Sequence, residues 1–94
     1  MTLYHASPVT LPVGAQLETP TGRSELDVTR GGVVYLADTP AACRRYGTVY
    51  EVDVSGAVPY AEQRVRQGLP RKKGRYTRGV FVALPERTRI LGTA

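Results

Sequence analysis

Val33-Val34-Tyr35-Leu36-Ala37-Asp38-Thr39-Pro40-Ala41-Ala42-Cys43-Arg44-Arg45-Tyr46-Gly47 reads as a short strand, a tight turn and a two-turn helix. The first part is β-branched and aromatic and follows Gly31-Gly32, as a strand entered from a turn would. The second part carries helix punctuation. Thr39 stands at the N-cap, and Pro40 at the first helical position, where no N–H is missed. Arg44 and Arg45 fall in the last turn, where the helix dipole favours cations. Gly47 can take the left-handed conformation that ends a helix. Tyr35 lies mid-strand, a large aromatic on one face of a sheet.

Working outward, residues 48–54 (Thr-Val-Tyr-Glu-Val-Asp-Val) alternate cleanly. Tyr50, Val52 and Val54 share one face; Val49, Glu51 and Asp53 share the other, wetter one. Upstream, residues 2–5 predict an opening strand, with Leu3 and His5 on one face and Tyr4 on the other. Pro and Gly between residues 9 and 20 predict an extended, turning segment. Residues 25–30 read equally as a short helix or a loop. Downstream, Ser55-Gly56 turns the chain. Residues 57–63 read as an edge or loop, because Pro59 cannot donate to a ladder. Residues 64–76 read as a basic loop with at most one helical turn at its start. Residues 78–84 and 87–91 predict the last two strands, separated by a turn at Pro85-Glu86. The count is five to seven short strands and one clear helix. That is an α+β or mostly β domain with a curved or split sheet.

The totals bound the function. The chain has 94 residues, with no repeat and no low-complexity linker, which predicts a single domain over residues 1–94. No apolar run approaches about 18 residues, so no membrane span is expected. The opening residues carry neither a basic region nor an apolar core, and predict no signal peptide. One Cys and one His exclude an internal disulfide and a multi-cysteine zinc site; a reducing, cytoplasmic setting is expected. Cys43 reads as a small buried residue on the inner face of its helix. The net charge is +5, and residues 64–78 hold seven Lys/Arg and no acid. Such a stripe favours an anionic partner, or is a solvated loop that aids solubility. There is no Walker loop, no G-x-G-x-x-G and no Gly-x-Ser-x-Gly elbow.

Leu3-Tyr4-His5-Ala6-Ser7 resembles the Tyr-His-Gly-Thr opening of the ADP-ribosyltransferase superfamily, and residues 33–42 are similar to its second motif, a strand Tyr followed by a short helix. The nearest subgroup is the small rifamycin ADP-ribosyltransferases. Their early Leu-x-x-Gly-x-x-Leu-x-x-Pro pattern is matched by residues 11–20, their strand ending in Ser-Gly by residues 49–56, and their late Ser-Tyr-Arg element is echoed by residues 75–78. The resemblance implies a split or curved ADP-ribosyltransferase-like sheet with one or two short helices. It also implies cleavage of NAD⁺ at the nicotinamide–ribose bond and transfer of ADP-ribose to an acceptor: a rifamycin-like molecule, a protein or a nucleic acid. A monomer without a metal is expected, and a phage, a toxin or a resistance cassette is a fitting source.

Roles follow residue by residue from the resemblance. His5 would bond the nicotinamide ribose, the Ala6 backbone would meet the carboxamide, and Ser7 would take the adjoining polar position. Tyr35 would stack on the nicotinamide. Glu62 is the candidate third, acidic residue, with Glu51 and Asp53 as competitors. Arg23, Arg44 and the cations of residues 71–78 would neutralise the pyrophosphate; Arg71, Arg75, Tyr76 and Arg78 would meet phosphate or acceptor. The chemistry suits these residue types. A carboxylate near the ribose lowers the energy of an oxocarbenium-like transition state, and a stacked Tyr holds the leaving ring. A His grips a hydroxyl without carrying a full charge. Ala6 departs from the family's Gly, so the backbone approaches the ligand less freely.

Each of these residues also has a plain structural reading: Tyr35 as core, His5 as a hydrogen-bonded strand residue, Glu62 as a surface carboxylate. Two other functions compete. One is a noncatalytic module that binds an NAD-like ligand or nucleic acid. The other is an NAD-dependent RNA 2′-phosphotransferase, whose second motif carries a His where Tyr35 stands here.

Overall fold

The computed structural model describes residues 2–17, 26–29, 32–70 and 78–94. The β-branched runs become strands β1 (Leu3–Ser7), β2 (Val34–Ala37), β3 (Thr48–Val54), β4 (Val58–Pro59), β5 (Val80–Ala83) and β6 (Thr88–Thr93). They form one six-stranded sheet in the order β4-β5-β2-β1-β3-β6. Every pairing is antiparallel. Two short helices, α1 (Pro40–Cys43) and α2 (Tyr60–Arg66), complete an α+β domain.

The sheet is weakly joined at its centre. β1 pairs with β3 along its whole length, from Leu3↔Val52 to Ser7↔Thr48. β2 pairs likewise with β5, from Val34↔Ala83 to Ala37↔Val80. Between β1 and β2 the register holds a single pair, Tyr4↔Ala37. The sheet is therefore split into two three-stranded halves, β4-β5-β2 and β1-β3-β6.

What holds the halves together is packing. Leu3, Val34, Leu36, Tyr50, Val52, Ala83 and Ile90 form one buried cluster drawn from both halves. Each buried Leu, Val or Ile among them contributes about 1.5–3 kcal/mol by leaving water. On the opposite face Ala37, Cys43 and Val49 form a second cluster, with Tyr4 and Ala6 against it. The alternation read for β3 explains the division. Tyr50 and Val52 enter the first cluster and Val54 packs on it, while Val49 enters the second. Asp53 is exposed.

The segment before β2 closes an edge. Gly14 donates to the Ile90 carbonyl at 2.7 Å, Ile90 to that of Ala15 at 2.9 Å, and Leu17 to that of Thr88 at 3.0 Å. The Tyr50 hydroxyl accepts from the Leu11 N–H at 2.9 Å, so the arm is fastened at both ends. The outer ladder of β6 would otherwise be an open template for pairing.

Three local expectations are corrected. The two-turn helix is one α turn followed by a 3₁₀ turn, Arg44–Tyr46. Thr39 has extended backbone at the N-cap but its side chain makes no cap bond. Residues 60–66, read as edge or loop and the start of the basic loop, are the helix α2. Pro59 breaks the ladder at its start. Gly68, at φ +75°, ends it in the left-handed region where glycine carries no Cβ penalty.

Candidate functional site

A cleft of about 850 Å³ opens where β1 and β2 part. That is a usual size for a small-molecule site. It is lined by His5 and Ala6 from β1, by β2 with Val33 before it, and by Cys43, Arg45, Tyr46, Tyr60 and Arg78 around the rim. His5 and Tyr35, thirty residues apart in sequence, meet here. His5 Nδ1 lies 3.1 Å from the Tyr35 carbonyl oxygen. A carbonyl only accepts, so Nδ1 carries the proton and donates. In the neutral ring Nε2 is then left with a lone pair for a hydroxyl donor. The bond also has a structural use: where β1 and β2 cease to pair, the His5 ring takes a strand carbonyl that has no ladder partner on that side.

Tyr35 is 47% exposed although its strand neighbours Val34 and Leu36 are buried, because alternation turns it to the other face. Its ring meets Tyr60 edge to face, with centroids 5.7 Å apart and planes at 67°. Burial, and secondarily Tyr60, push the Tyr35 hydroxyl above its ordinary value of 10.0, while Arg64 draws it partly back. Burial likewise raises the Cys43 thiol above 9.0. Both groups keep their proton in the folded chain at a pH where the unfolded chain loses it. They contribute stability below those ordinary values, and it is lost as pH rises through the folded values. The melting temperature is therefore expected to fall from about pH 9 upward, and Cys43→Ala to delay the onset of that fall; melting curves between pH 8 and 11 check it.

Two cations reach the cleft by different routes. The 3₁₀ turn after α1 carries Arg45, whose guanidinium lies 5.0 Å from the centroid of the Tyr46 ring. Arg78 precedes Gly79, at φ +70°, where a Cβ would press on the Asp38 carboxylate. The Asp38 N–H donates to the Gly79 carbonyl at 3.1 Å. This turn delivers Arg78 beside the end of β2.

Of the residues singled out in the sequence, His5, Ala6, Tyr35 and Arg78 line the cleft. Ser7 does not: it is 6% exposed, and its hydroxyl accepts from the Val9 N–H at 3.2 Å. Arg44 is exposed and outside the lining, and so is Glu62 on α2. Glu62 stands two positions after Tyr60, about 200° around the helix from a residue that does line the cleft. Glu51, half-buried, and Asp53 also stand outside it. No carboxylate lines the cleft among the described residues. Arg23, Arg71, Arg75 and Tyr76 lie outside the described residues.

The sequence reading missed Arg45, Tyr46 and Tyr60 as lining residues. Pro59-Tyr60 ahead of good helix formers could have found the last; the sense of a single 3₁₀ turn leaves no periodic signal for the other two. Among the described residues no group of three or more His, Cys, Asp or Glu is placed to hold a metal. None of their helices is long and apolar enough to cross a membrane. No protein-family model, no curated protein and no solved structure matches this chain.

Proposed function

We propose that this chain is an ADP-ribosyltransferase-type domain that binds NAD⁺ in the split between β1 and β2 and transfers ADP-ribose to an acceptor. The observation that carries it is the meeting of His5 and Tyr35 across the split, with His5 Nδ1 on the Tyr35 carbonyl and both residues lining the cleft. The cleft residues fit the ligand's parts. Tyr35 offers a ring face to nicotinamide. His5 Nε2 accepts from a ribose hydroxyl. Arg45 and Arg78 provide the charge that a pyrophosphate needs. In the transfer, the bond from ribose C1′ to the nicotinamide nitrogen breaks, the electron pair leaves with nicotinamide, and an acceptor nucleophile bonds C1′ and loses its proton. The net charge of +5 favours an anionic acceptor, protein or nucleic acid, over an antibiotic. A monomer working in the cytoplasm suits this reading.

A second reading has its own support. Without a carboxylate in the described lining, the group expected to stabilise an oxocarbenium ion is missing there. A noncatalytic NAD-like-ligand binder needs no such group.

The test is an NAD⁺ titration of isotope-labelled protein, followed by nicotinamide release on incubation. Amide shifts at residues 5, 6, 35 and 78 with free nicotinamide appearing are the expected result. Shifts without nicotinamide favour the noncatalytic module. A folded protein with neither, at millimolar NAD⁺, removes the basis for both.

A further inference from the structure

We infer that Tyr60 and Arg64 are positioning residues that fix the attitude of the Tyr35 ring, an inference that rests on Tyr35 being the ligand-stacking residue of the cleft. Val58, Val82 and Tyr35 stand in one cross-strand row, Val58↔Val82 and Tyr35↔Val82. The chain leaving β4 therefore turns into α2 directly beside Tyr35. Tyr60, the first residue of α2, is 8% exposed, whereas Tyr35 is 47% exposed. The better-buried ring is thus the fixed member of the edge-to-face pair, and the more open ring is the one it steadies.

Tyr60 is in turn held by Arg64, one helical turn on. Arg64 Nη1 donates to the Tyr60 hydroxyl at 3.2 Å, and the guanidinium carbon lies 5.7 Å from the ring centroid. The rest of the fork is fastened to the main chain. Nε and Nη2 both donate to the Pro70 carbonyl, at 3.1 and 2.8 Å. The Leu69 N–H returns to the Arg64 carbonyl at 2.9 Å. A planar guanidinium with its donors spread over a backbone carbonyl and a hydroxyl has little freedom left. Arg64 belongs to the basic stripe by composition, but Nε, Nη1 and Nη2 each donate within the chain. The order of support runs from the Pro70 carbonyl to Arg64, to Tyr60, to Tyr35.

The experiment is a double-mutant cycle read by NAD⁺ affinity, together with the Tyr35 ring-proton shifts in free protein labelled on tyrosine side chains. Tyr60→Leu is expected to weaken NAD⁺ about tenfold, and Arg64→Ala about threefold, when Tyr35 is present. Neither should weaken it further in a Tyr35→Ala background, because their effect passes through that ring. Tyr60→Phe, which keeps the edge contact and loses only the bond to Arg64, should fall between wild type and Tyr60→Leu. Equal losses with and without Tyr35, or no loss at all, would overturn the inference. If the wild type binds no NAD⁺, the functional reading fails on its own account and the ring shifts decide. They must move in both Tyr60→Leu and Arg64→Ala, and unchanged shifts in Arg64→Ala would overturn the positioning role. Should Arg64→Ala fail to fold, Arg64→Lys keeps the charge but not the fork, and the same shift change is expected of it.

Discussion

His5→Ala is expected to reduce NAD⁺ turnover about 100-fold, the scale seen when one transition-state hydrogen bond is removed from an enclosed site. It should cost only about 0.5–1.5 kcal/mol of stability, the net worth of a hydrogen bond. The two effects come from different nitrogens. Nδ1 is committed to the Tyr35 carbonyl and belongs to the fold. In the proposed function Nε2 is the nitrogen that serves the ligand. His5→Asn separates them, because an asparagine amide nitrogen sits close to where Nδ1 was while nothing replaces Nε2. Its melting temperature should stay near that of the wild type, and its turnover should stay near that of His5→Ala. Full turnover in His5→Asn would mean that His5 only braces the split.

Gly47→Ala is expected to lower stability by about 2–5 kcal/mol, a shift of roughly 10–30 °C in a domain of this size. Two costs combine. The backbone at Gly47 has φ +137° and ψ −153°, a region open essentially to glycine alone. A Cβ there would also overlap the Ser7 carbonyl and its neighbour Pro8, which are main chain and cannot step aside. Gly14→Ala is the matched control. It too has positive φ, at +84°, but a Cβ would meet nothing within 4 Å. It should cost only about 1–2 kcal/mol. Thermal denaturation of the two variants compares them directly. Equal losses would show that conformational strain alone operates and that β1 does not press on the turn.

What could be read from the sequence was whatever left a local signal. Residues 48–54 alternate because each face of β3 meets a different cluster, and that pattern is visible without coordinates. Gly47 was legible as a stop, though the expected left-handed cap proved a more extended conformation. α2 left no such trace. Its buried residues are Tyr60 and the polar Gln63, so it has no apolar stripe. Gln63 is buried because its side-chain nitrogen donates to the Leu26 carbonyl at 2.7 Å, a bond across 37 positions that no window can see. The site divides in the same way. His5 and Tyr35 were singled out by resemblance to a motif, but their contact depends on where β1 and β2 stop pairing. Glu62 was chosen by its type and its place in the order of the chain. Its direction is set by the phase of a helix that was not expected.

The two halves of the split sheet are not successive stretches of chain. β1, β3 and β6 make one and β2, β4 and β5 the other, so the polypeptide passes from half to half four times between residues 3 and 93. Neither half is a unit that synthesis could finish early. A ribosome adds about 5–20 residues per second, and the nascent chain must keep β1 waiting until β3 and then β6 have emerged. The half that holds β1 is complete only when β6 joins it, so the first of the described strands to be made waits for the last.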